Sequence, residues 1–215
     1  MNSKELRGRK MQVKVKICGI TNLDDAMAAV DFGADALGFV FFKDSPRYIP
    51  FSSAASIIKN LPPFLTTVGV FVNEHPENIE SVITMTGIDV VQLHGEEPPE
   101  RCRFTRQVIK AMRVETLESL DPLISYRGIV SSFLLDTFTP DLFGGTGKIF
   151  NWDIAVEAKQ FGRIILAGGL TPDNITEAVR HVRPYGVDVS SGVELEKGTK
   201  DHKKMQLFIE RAKET

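Results

Sequence analysis

The chain has 215 residues, 42% hydrophobic and 25% charged, which is ordinary globular usage and enough apolar mass for a core without disulfides or metals. Its formal charge of −2 excludes broad attraction to nucleic acid or an anionic membrane, so any anion site has to be local. Cys18 and Cys102 make neither a disulfide framework nor a zinc pattern, and no signal peptide or membrane-length apolar run is present, a combination that fits a cytoplasmic protein.

Residues 1–10 are polar and basic and are predicted to be a disordered extension ahead of a single domain over residues 11–215. From Gln12 onward, short β-branched runs alternate with helix-like stretches. Strands are predicted at 13–18, 36–42, 65–72 and 88–93 in the first half, with helices at 22–32, 52–60, 76–86 and 97–104. Asn22 is placed to cap the first helix, with Asp24 and Asp25 favourable in its opening turn. The second half continues with strands at 108–113, 129–135, 163–166 and 186–189, and helices at 117–125, 151–160, 172–182 and 203–212.

Alternating strands and helices imply a parallel sheet, and eight such units predict an α/β fold closed into a single (β/α)8 barrel. A doubly wound open sheet is the competing architecture; no GxGxxG follows the first strand, which counts against its dinucleotide-binding form.

A barrel of this kind carries its site at the C-terminal ends of the strands. Cys18 ends strand one, Arg47 follows strand two, Gln92 and His94 end strand four, and Asp136 ends strand six. Glycine-bearing turns follow strands six, seven and eight: Gly144-Gly145-Thr146-Gly147, Gly168-Gly169 and Ser190-Ser191-Gly192. Such turns let backbone N–H groups approach a phosphate closely, and two on the last two strands favour a phosphate site there. Side chains alternate along a strand, so Cys18 shares a face with Lys14 and Lys16, opposite Val13, Val15 and Ile17. If that apolar set faces the helices, Cys18 points into the barrel mouth. In a closed barrel, strands one and six are separated by seven and eight, so Cys18 and Asp136 would face each other with room for a sugar between them.

Each residue alone has a plainer reading. A cysteine ending a strand is commonly a small buried hydrophobe, and an aspartate after one a cap or turn former. Cys102 is expected in a helix, with a structural or surface role, and His75, His181 and His202 show no ligand spacing.

The motifs taken in order are more specific. Lys16-Ile17-Cys18-Gly19-Ile20-Thr21, Ser45-Pro46-Arg47-Tyr48, Gln92-Leu93-His94-Gly95, Leu135-Asp136-Thr137, Gly145-Thr146-Gly147-Lys148, Ala167-Gly168-Gly169-Leu170 and Asp188-Val189-Ser190-Ser191-Gly192-Val193-Glu194 closely resemble the signatures of phosphoribosylanthranilate isomerases from about Gln12 to the end. Ile149 and Asn151 depart from the usual wording.

The resemblance implies an Amadori rearrangement of phosphoribosylanthranilate in tryptophan biosynthesis, without metal or organic cofactor. By the same match, Asp136 would be the general acid, Cys18 the general base and Arg47 the holder of the anthranilate carboxylate. Asp188 would touch the sugar or position its neighbours, and Gln92 and His94 would line the floor or rim. Lys16, on the same face, or the substrate's imine charge, would lower the pKa of the thiol. The expected partner is the small-molecule substrate, and the expected state a monomer or homodimer. The related histidine-pathway isomerase pairs two aspartates, so Cys18 argues against it. A catalytically silent phosphate-binding barrel has no chemical need for Cys18, Asp136 and Arg47 together.

Overall fold

A computed structural model describes residues 12–137 and 151–215. The predicted extension at residues 1–10 lies outside them, as do Gly145 and Gly147. In chain order the elements are β1 (Lys14–Cys18), α1 (Leu23–Asp31), β2 (Ala36–Val40), α2 (Phe51–Ile58), β3 (Thr66–Phe71), α3 (Pro76–Thr86), β4 (Val90–Leu93), β5 (Gln107–Val114), α4 (Leu123–Tyr126) and β6 (Ser132–Thr137). They continue with α5 (Trp152–Ala158), β7 (Ile164–Leu166), α6 (Ile175–Val182), β8 (Gly186–Val189), the short strands β9 (Glu194–Glu196) and β10 (Thr199–Lys200), and α7 (His202–Lys213).

Strands β1 to β8 pair in sequence order, all parallel, and β8 closes onto β1 with Lys16 beside Asp188. The expected (β/α)8 barrel is therefore observed and the open sheet excluded. The two-residue period of each strand divides it into two packing zones. Val15 and Ile17 of β1 belong to the large apolar cluster that includes Ala26 and Ala29 of α1 and Met205, Phe208 and Ile209 of α7. Burial of a side chain the size of Phe208 or Ile209 contributes roughly 1.5–3 kcal/mol relative to exposure. A smaller cluster of Val68, Ile109, Ala111, Leu134, Ile165 and Ala167 fills the barrel interior. Above it, Cys18 packs with Val40 and Val70 near the mouth.

Local chemistry fixes the ends of elements. Asn22 accepts from the backbone N–H of Asp25 at 2.8 Å and caps α1 as expected.

Two predicted helices are corrected. Residues 97–104 contain only a single 3-10 turn, Pro99–Arg101. Pro98 and Pro99 supply no backbone N–H, and the Glu97 carboxylate is instead engaged by the backbone N–H groups of Asn73 and Gly95 and by Lys110. Cys102 follows this turn, fully buried, in a structural setting outside any helix. The helix expected at 117–125 is a 3-10 turn at Leu117–Leu120 and the four-residue α4, divided at Pro122. The described residues thus contain seven α-helices rather than eight. The antiparallel hairpin β9–β10 stands beside the mouth, where Lys200 reaches the carbonyl oxygen of Cys18. No helix among the described residues is long and apolar enough to cross a membrane.

Candidate active site

The C-terminal ends of the strands surround one cavity. Its lining includes Cys18, Arg47, Gln92, His94, Asp136, Gly168, Gly169, Asp188, Ser190, Ser191 and Gly192, so all the described residues singled out from the sequence converge there. They come from the ends of β1, β4, β6, β7 and β8 and from the loop after β2, scattered over the whole chain.

Cys18 and Lys16 occupy successive inward positions of β1. The Lys16 ammonium bonds Asp188 at 2.8 Å, and its charge acts on the neighbouring Cys18 thiol. Gly38 on the neighbouring strand makes room for both. A Cβ there would stand 2.8 Å from Cys18 Sγ and 3.0 Å from Lys16 Nζ, closer than real side chains allow.

Burial works against charge on Lys16, but Asp188 and Cys18 outweigh it and push the ammonium up to about 12. Cys18 answers differently from the sequence expectation. Burial raises its thiol pKa, and the opposing pull of Lys16 does not reverse that. Asp188, by absorbing the Lys16 charge, is one reason the pull is incomplete. The free protein therefore holds Cys18 as a thiol at neutral pH, and Lys16 restrains the cost of losing its proton rather than removing it.

Across the mouth, Asp136 is the next-to-last residue of β6 and is buried. His94 Nε2 lies 3.4 Å from Asp136 Oδ2, and Gln92 Nε2 lies 3.1 Å from His94 Nδ1. The Gln92 amide and the Asp136 carboxylate meet opposite nitrogens of the His94 ring and fix its orientation. Gln92 and His94, expected only as floor or rim, are thus connected to the carboxylate.

Arg47 lies over the mouth with its side chain largely covered. Its Nε and Nη2 donate to the two oxygens of Glu194, both at 2.7 Å. Two of its five N–H groups are used in this way, leaving three at the Nη1 and Nη2 end of the fork to meet another anion. Glu194 also accepts from Lys200 at 3.0 Å. Burial would raise its carboxyl, but Arg47 and Lys200 hold it below the usual carboxylate range. Sequence reasoning missed the roles of Glu194 and Lys200. Glu194 was visible only as the last letter of the strand-eight motif, and Lys200 belongs to a hairpin with no local signature.

On the remaining side, Gly168 and Gly169 both have left-handed backbone, with φ of 77° and 68°, which a side chain would oppose. They line the cavity beside Ser190, Ser191 and Gly192. Ser190 Oγ and Gln92 Oε1 are buried there without a hydrogen-bond partner among the described residues. Leaving a buried polar atom unpaired costs about 1–3 kcal/mol, so such atoms suit a cavity meant to receive a polar ligand.

A closed parallel barrel with a polar cavity at its C-terminal strand ends is the architecture in which barrel enzymes place their active sites. The family model of N-(5'phosphoribosyl)anthranilate (PRA) isomerase matches residues 15–211, and the chain belongs to this family of isomerases. The N-(5'-phosphoribosyl)anthranilate isomerase of Geobacter metallireducens is 58% identical over 202 residues, 94% of this chain and 99% of that protein. The crystal structure of phosphoribosyl anthranilate isomerase from Thermotoga maritima is 47% identical with a TM-score of 0.89, over 94% of this chain and 100% of that one. A structure of the isomerase in complex with reduced 1-(o-carboxyphenylamino)-1-deoxyribulose 5-phosphate is 44% identical, covers 94% and 100% of the two chains, and has a TM-score of 0.85.

Proposed function

We propose that the protein isomerises N-(5'-phosphoribosyl)anthranilate to 1-(2-carboxyphenylamino)-1-deoxyribulose 5-phosphate in tryptophan biosynthesis, with Asp136 as general acid and Cys18 as general base. The observation that carries this reading is that a thiol from β1 and a carboxyl from β6 line one cavity from different sides, in a chain of this family.

In the first step, the Asp136 carboxyl gives its proton to the ribose ring oxygen. The bond from that oxygen to C1′ breaks, and the nitrogen lone pair forms a protonated imine. The positive imine acidifies C2′–H and helps the Cys18 thiol, whose pKa burial raises, release its proton to solvent at the open mouth as the thiolate. The thiolate removes the C2′ proton, the electron pair moves to form the enolamine, and tautomerisation gives the ketone. Positioned acid and base groups typically contribute 10²–10⁴-fold each.

The end of the Arg47 fork left open by Glu194 suits the anthranilate carboxylate. The turns at Gly168-Gly169 and Ser190-Ser191-Gly192 suit the phosphate, and the resemblance assigns Gly145 and Gly147 to the same ligand. The protein works on this small molecule in the cytoplasm as a monomer or homodimer, without a cofactor, nucleic acid or membrane partner.

Assay of purified protein with freshly made phosphoribosylanthranilate, followed by loss of its fluorescence, tests the reading. Rapid turnover is expected, with little or none of the imidazole-bearing aminoaldose of the histidine pathway. Substantial turnover of that second substrate would show dual specificity, and binding without turnover of either would favour a silent barrel.

A further inference from the structure

The buried ammonium of Lys200 reaches three parts of the mouth at once. Its side chain is fully covered, with Nζ donating to the carbonyl oxygen of Cys18 at 2.6 Å, to Glu194 Oε1 at 3.0 Å and to the carbonyl oxygen of Ser190 at 3.4 Å. Those three acceptors belong to the strand end that carries the thiol, to the counter-ion of Arg47, and to the turn after β8. The hairpin that supplies Lys200 is anchored separately. The Lys200 backbone N–H donates to Asp25 Oδ2 at 2.9 Å, and the Thr21 hydroxyl donates to the carbonyl of Gly198 at 2.5 Å. The ammonium is therefore delivered from a braced strand.

We propose that Lys200 is a positioning residue for the isomerisation: from one buried point it fixes the Cys18 backbone, the Ser190 turn and, through Glu194, the Arg47 guanidinium in a single rigid frame. The inference rests on the assignment of Cys18 and Arg47 above.

The ion cluster has two cations, Arg47 and Lys200, for one carboxylate, Glu194, and so presents net positive charge to a substrate carboxylate. The charged groups around the thiol are Lys16, Asp188, Lys200 and Arg47; Lys16 favours the thiolate most, Lys200 adds to it, and Asp188 opposes it. A nearby lysine without the backbone contacts would supply charge only. The two carbonyl bonds are what turn the charge into a positional constraint, because a carbonyl held by an ammonium fixes the strand end that bears it.

The test is Lys200→Met, which keeps length and loses charge, with Lys200→Arg and Lys200→Gln alongside. Folding is checked by circular dichroism and thermal melting. Two functional readouts follow: kcat and KM across pH, and the pH profile of Cys18 alkylation by iodoacetamide, with Cys18→Ser as the background for Cys102.

For folded Lys200→Met we expect kcat/KM to fall about tenfold or more, the size of a lost charge-assisted hydrogen bond, with both kcat and KM affected. Alkylation should move to higher pH, and Lys200→Arg should recover part of each effect. A folded Lys200→Met with wild-type kcat, KM and alkylation profile overturns the proposal. If Lys200→Met does not fold, Lys200→Gln decides by the same readouts: a raised KM with alkylation moved to higher pH supports the frame, and wild-type values of both overturn it. The alkylation arm needs no turnover, so a wild-type protein inactive on phosphoribosylanthranilate would refute the activity while Lys200 is still judged on the thiol.

Discussion

Two buried lysine–glutamate pairs stand at the C-terminal side of this barrel, and they differ in what else they touch. Lys110 on β5 bonds Glu97 at 3.0 Å, and its other partners are the backbone carbonyls of Leu93, Gly95 and Ala111. Glu97 in turn holds the backbone N–H groups of Asn73 and Gly95. That pair ties the loop after β4 to β5 and to the loop after β3, next to the 3-10 turn Pro99–Arg101. Lys200 and Glu194 have the same chemistry and the same burial, but their remaining bonds go to the backbone of Cys18 and to Arg47. A buried ion pair is therefore not by itself a mark of function. The identity of its further partners separates a pair that holds a loop from one that holds reactive groups.

The largest effect is expected at the proposed chemical groups. Cys18→Ser or Asp136→Asn should each cost about 10³-fold or more in kcat with melting temperature nearly unchanged, measured by the fluorescence assay and by calorimetry. Next comes Lys110→Met, which leaves Glu97 buried and unpaired. It should destabilise the fold by about 3–5 kcal/mol in urea titration while the folded fraction keeps its KM. A large KM change would mean that the Lys110 pair also serves the mouth.

Arg47→Lys keeps the charge but loses the fork. KM should rise about tenfold with a smaller change in kcat, read from saturation curves.

A smaller effect lies in pH dependence. Unfolded Glu194 takes up its proton near 4.5 and folded Glu194 only below that, so between the two the unfolded state binds more protons. The stability that Glu194 confers is complete above about pH 4.5 and is lost as pH falls through its depressed folded value. Glu194→Gln should flatten this acid limb in melting curves taken across that window. Smallest is Asn22→Ala, a lost helix cap at the start of α1, expected to cost about 1 kcal/mol without altering KM.

The sequence was most legible where physics is local. Alternation in 13–18 separated Lys16 and Cys18 from Val15 and Ile17, and the structure keeps that division. Barrel closure then brought Cys18 and Asp136 to one cavity from residue positions alone. What escaped reading is non-local or depends on competition between groups. Arg47 and Glu194 are 147 residues apart, Lys200 and the Cys18 carbonyl 182 apart, and neither pairing leaves a periodic trace. The helix expected at 97–104 failed because two adjacent prolines removed donors while Glu97 found better partners in Asn73 and Lys110. The thiol was expected to be eased toward its charged form by Lys16. Only the structure shows that Asp188 shares the Lys16 ammonium and that burial dominates.

The most direct measurement is a crystal structure with the reduced product analogue bound. The sugar should lie between the two strand ends, with C2′ against the Cys18 sulfur and the hydroxyl derived from the ring oxygen against Asp136. The carboxylate should meet the free end of the Arg47 fork, and the phosphate the turns after β7 and β8. An analogue bound with Cys18 and Asp136 on the same side of the sugar, or touching neither, would contradict their assignment as base and acid.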